Sequence, residues 1–126
     1  MKRGHAMRLC AALVMLGATV DAAAASEATG VWLRDSGASR VRVAPCGGAL
    51  CGTVVWLRDT SGPAKVGQRV FFDMKPDGEG RWSGKAFNPE DGKTYSGSLS
   101  VSGNTLTTSG CVLGVICRSV SWSRVH

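Results

Sequence analysis

The chain has 126 residues, enough for one domain, and a formal charge of +6 that is basic without a concentrated run. Its two histidines, His5 near the start and His126 at the end, leave no base for a Ser-His-Asp or Cys-His nucleophile and no histidine-ligated metal site. The scattered basic residues argue against a nucleic-acid partner.

Lys2, Arg3 and Arg8 precede an apolar run from Leu9 to Val20, and Ala23-Ala24-Ala25 offers a small-residue cleavage site. That is the pattern of a cleaved signal peptide over residues 1–25. The run falls far short of the roughly 20 residues of a spanning helix, so no transmembrane segment is expected. Cys10 opens the apolar run and leaves with the peptide. Export to the periplasm or beyond is expected, with residues 26–126 as a single domain. Loss of Lys2, Arg3, Arg8 and Asp21 lowers the formal charge from +6 to +4.

Ser26 to Thr29 reads as a loose leader, and Gly30-Val31-Trp32-Leu33 as the first strand, ended by Asp35-Ser36-Gly37. Ser39 to Ala44 alternates Val41 and Val43 with Arg40 and Arg42, the period of a half-buried strand. Pro45 to Cys51 is a glycine-rich reversal. Thr53 to Leu57 is the most apolar strand, placing Val54 and Trp56 on one face. Arg58 to Gln68 is the longest connection, and Arg69 to Met74 returns with Val70, Phe72 and Met74 on one side. Beyond the polar turn Lys75 to Gly80, Trp82, Gly84 and Ala86 share a face. Pro89 and Asp91-Gly92 turn the chain into Thr94 to Val101, where Tyr95, Gly97, Leu99 and Val101 alternate with hydroxylated residues. Thr105 to Cys111 and Cys117 to Val125 complete the chain.

No helical period of useful length appears after residue 25. About eight short strands separated by turns define an all-β meander, and closure into a small antiparallel up-and-down barrel removes both exposed edges. Gly84 and Gly97, within apolar faces, permit the sharp bends of such a barrel.

Four cysteines remain after cleavage. Cys46 and Cys51 bracket one short reversal, Cys111 and Cys117 another. Local disulfides are favoured, ahead of crossed bridges; zinc comes last, because its cysteine pairs usually stand two to four residues apart. No metal or other cofactor is expected. The carboxylates Asp59, Asp73, Asp77, Glu79, Glu90 and Asp91 keep acid–base chemistry open, yet four of them lie in turn sequences where solvated acids belong. No catalytic residue is assigned.

Trp32 reads as core. Trp56, Phe72, Trp82, Tyr95 and Trp122 read either as core or as the aromatic wall of a ligand site. Arg118 and Arg124 share parity with Val120 and Trp122, and Arg124 stacked on Trp32 would tie the last strand to the first.

Gly30-Val31-Trp32 with Arg124 resembles the glycine-x-tryptophan and closing-arginine pattern of lipocalins, which casts Gly30, Trp32 and Arg124 as structural. Three further runs are more specific: Pro45 to Gly52 with Val55-Trp56-Leu57, Asn88 to Gly97, and Gly110 to Arg118 with Trp122-Ser123-Arg124. Together they resemble the exported bacterial family known as domain of unknown function 2147, over essentially all of Gly30 to Val125. The resemblance implies a lipocalin-like barrel in the periplasm or outside the cell, and no established activity. Members often carry a longer insertion where this chain has Arg58 to Gln68.

The leading expectation is a non-enzymatic binder of a small apolar or amphipathic ligand. The alternatives are an envelope interaction protein with a packed barrel and a basic outer face, and a carboxylate-based enzyme. A hollow interior separates the first from the second; a buried carboxylate pair would mark the third. Oligomeric state is not legible.

Overall fold

The computed structural model describes residues 27–126, so the expected signal peptide lies outside the described residues. Alternation at period two does what the pleat requires: Val41 and Val43 are buried, while Arg42 between them is exposed. Repeated along the chain, this pattern gives β1 (Gly30–Arg34), β2 (Ser39–Cys46), β3 (Ala49–Leu57), β4 (Arg69–Pro76), β5 (Arg81–Asn88), β6 (Lys93–Ser102), β7 (Thr105–Val112) and β8 (Ile116–Arg124). Each strand pairs antiparallel with the next, and β8 pairs back on β1 through Trp32↔Arg124 and Arg34↔Trp122. The result is an eight-stranded, closed, up-and-down barrel with no free edge.

One end of the barrel is packed solid. Trp32, Met74, Leu99 and Leu106 are at most 1 % exposed there, with Val43, Leu50 and Trp82 filling the space between them. Arg124 seals this end. Its guanidinium lies 4.3 Å over the Trp32 ring and donates to the carbonyls of Thr29 (3.1 Å) and Glu27 (2.7 Å). Trp32 in turn donates from Nε1 to the Ala28 carbonyl at 2.9 Å.

Two disulfides staple hairpins at opposite ends. Cys46–Cys51 joins β2 to β3 near the packed end, and Cys111–Cys117 joins β7 to β8 at the other.

Strict alternation fails in two places. The β2–β3 register shifts so that Val41 faces Val54 but Arg40 faces Trp56, with Val55 as the extra residue. Trp56 is therefore turned outward, 38 % exposed, with the Arg40 guanidinium 5.0 Å over its ring. In β4 the pairings Thr53↔Arg69, Gly52↔Phe71 and Leu50↔Met74 leave extra residues on either side of Phe71. Val70, Phe71 and Met74 consequently all point inward, while Phe72 turns out beside Lys85. The expected shared faces Val54/Trp56 and Val70/Phe72 are thus corrected: a β-bulge reverses the parity of every residue beyond it.

Candidate functional site

The other half of the barrel is hollow. β1, β3, β5 and β7 end here and β2, β4, β6 and β8 begin here, so the connections around residues 35–38, 58–68, 89–92 and 113–115 ring a mouth. Below it opens a cavity of about 820 Å³, within the 300–1,000 Å³ typical of sites for small molecules.

Its wall is apolar: Val41, Val54, Val70, Phe71, Ala86 and Val120. Its floor is Trp122, edge-on to Phe71 at 80° with ring centroids 6.3 Å apart. The indole N–H donates 3.0 Å to the hydroxyl of Thr108, itself buried. That bond satisfies the indole N–H internally and leaves the Thr108 hydroxyl, which accepts it, as the floor's polar group. The close approach of Phe71 to β3 depends on Gly52, where a Cβ would lie 2.7 Å from the phenyl ring.

Polar groups stand at the rim. Tyr95 lines the cavity and donates from its hydroxyl to Asp91 Oδ2. That bond, then the Lys93 amide, holds the Asp91 carboxyl below its ordinary value, and the same bond pushes the Tyr95 phenol up. Arg34 and Arg118 line the mouth on the inward parity of their strands. Arg58 bridges two rim loops by donating to the Ser36 carbonyl at 3.2 Å. Asp59 accepts from the amide and hydroxyl of Ser61, which lowers its pKa.

Of the five aromatics expected in a ligand site, Tyr95 and Trp122 line the cavity. Trp82 lies in the packed end, and Trp56 and Phe72 are on the outside. Sequence reading missed Phe71 and Thr108. Thr108 shares parity with Leu106 and was findable on that ground; Phe71 was not, because only the bulges bring it inside. A second hollow of about 510 Å³ lies on the outer face among Asp73, Lys75, Lys85, Thr94 and Ser96, mostly polar. Among the described residues no group of three His, Cys, Asp or Glu is placed to hold a metal ion, and no helix is long and apolar enough to cross a membrane.

A closed eight-stranded barrel, sealed by an arginine on a tryptophan at one end and hollow at the other, defines a lipocalin-like calyx. Protein HP1028 from Helicobacter pylori, described as belonging to the lipocalin family, has the same fold: the TM-score is 0.67 at 20 % identity, covering 79 % of this chain and 84 % of that one. The chain belongs to the family described as an uncharacterized protein conserved in bacteria (DUF2147), which it matches over residues 30–124. Among curated proteins no relative matches it.

Proposed function

We propose that the protein is an exported, non-enzymatic binder of a small apolar or amphipathic molecule held in the calyx. One observation carries this reading: the cavity of about 820 Å³ has an apolar wall, a floor whose indole N–H is already bonded to the Thr108 hydroxyl, and its charged groups at the rim. Such a site takes an alkyl chain or apolar ring system inward and leaves a polar head at the mouth, where burial of apolar surface provides the affinity. The likeness to a lipocalin-family structure supports the same use of the fold. Export is supported by the leader pattern and by two disulfides, which persist in oxidising compartments.

The envelope-interaction alternative rests on Arg40 and Arg42 on the outer face. The hollow interior favours the calyx.

The test is tryptophan fluorescence during titration with oleic acid, a short-chain quinone and an anionic glycan, at low and high salt. Saturable quenching by an apolar ligand is expected, surviving high salt, retained in Trp56→Phe and lost in Trp122→Phe. A response confined to the glycan and abolished by salt would overturn the calyx, because only contacts between exposed charges are screened that strongly.

A further inference from the structure

The turn joining β7 to β8 breaks two habits of hairpins at once. Its tip, Val112-Leu113-Gly114-Val115-Ile116, is uniformly apolar, and its large side chains are exposed: Leu113 92 %, Val115 80 %, Ile116 72 % and Val112 45 %. The turn closes by a bond from the Val115 amide to the Val112 carbonyl (3.1 Å), with Leu113 at φ 55° and Gly114 at φ 69°. Left-handed backbone at both central positions calls for Asn, Asp or Gly at the first of them. Leucine there is a conformational cost accepted at a side chain that is almost fully exposed, and such costs cluster at functional sites. Cys111–Cys117, with Cα atoms 4.1 Å apart directly below the tip, fixes the hairpin's base.

We propose that this hairpin docks the protein on a lipid bilayer, inserting Leu113 and Val115 among the outermost acyl carbons with the calyx mouth facing the membrane. Three observations select a bilayer. The apolar tip consists of four large side chains, Val112, Leu113, Val115 and Ile116, far short of the roughly 20–30 residues a side of a stable protein interface. It carries no charge between the two cysteines, yet Arg118 follows directly, the apolar-then-basic order that suits an interface with anionic headgroups. Val112 and Ile116, paired across the base of the tip, also line the cavity, so an apolar path runs from the tip into the calyx. An amphipathic lipid could follow it without crossing water. This delivery step rests on the calyx reading; the docking itself does not.

The test uses protein expressed with its own leader, purified, and floated with vesicles of phosphatidylcholine alone or with added phosphatidylglycerol, at low and high salt. Wild type is expected to float with both, more with the anionic lipid, and to remain bound at high salt. The variant Leu113→Asn/Val115→Ser is expected to lose at least about tenfold in partitioning. Its denaturation midpoint should be unchanged or raised, because asparagine suits the left-handed position, and its oleic acid quenching unchanged. Docking is overturned by a wild type that ignores vesicles, by a variant that binds them equally, by binding that high salt abolishes, or by a variant-sensitive dimer in place of vesicle binding. Vesicle binding without quenching by oleic acid supports the docking and overturns only the calyx.

Discussion

Arg124 does the work of three contacts at the sealed end of the barrel. It stacks on Trp32, donates to two carbonyls of the segment that leads into β1, and, lying in the last strand, ties the two ends of the sheet together. Gly30 makes room for it: a Cβ there would lie 3.0 Å from Nη1, and its φ of +144° suits no other residue. Arg124→Ala leaves the Trp32 face bare and the carbonyls of Glu27 and Thr29 without this donor. We expect a loss of about 2 kcal/mol in urea denaturation, with Arg124→Lys intermediate because an ammonium lacks the planar fork. A midpoint equal to wild type in Arg124→Ala would show that the closure rests on backbone pairing alone.

At the scale of the strand, β4 decides the shape of the site. Its two irregularities turn Val70, Phe71 and Met74 inward and expel Phe72, and the second of them throws the Asp73 backbone to φ 53°. The bulged backbone comes down on Gly84 of β5, where a Cβ would lie 2.5 Å from the Asp73 carbonyl oxygen and 2.7 Å from that of Phe72. Backbone atoms cannot swing aside as a side chain can. Gly84→Ala should therefore cost about 2 kcal/mol, read as a lowered denaturation midpoint, and should weaken ligand quenching by moving Phe71. A neutral Gly84→Ala would mean that the bulge relaxes freely and does not position the cavity wall.

For the molecule as a whole, a domain of about a hundred residues that leaves half its barrel hollow gives up part of the core a domain this small needs. The two disulfides offset this. They close loops with sequence separations of 5 and 6, for which the chain-entropy model gives about 2 kcal/mol each. Because they lie at opposite ends of the barrel, removing both should cost roughly the sum of the single losses. Paired substitutions to alanine, followed by chemical denaturation, measure this. Non-reducing peptide mapping should recover Cys46 with Cys51 and Cys111 with Cys117; a peptide joining Cys46 to Cys111 would overturn the assignment.

The barrel, its strand order and its stapled hairpins were legible in the residues because each is a local matter. Alternation marks a strand, Asp91-Gly92 marks a turn, and two cysteines across a short reversal can reach each other whatever the rest of the chain does. The pairing of Arg124 with Trp32 was readable as well, since a meander that closes must bring its last strand to its first. What faces the cavity was not. Parity can be counted along a strand only until an extra residue interrupts it, and nothing in Val54-Val55-Trp56 or Arg69-Val70-Phe71-Phe72 announces the interruption. A bulge depends on how the neighbouring strand twists and where its glycines let the backbone approach, which is a property of the closed sheet. Trp56 and Phe72 went outside, and Phe71 came in, for that reason alone.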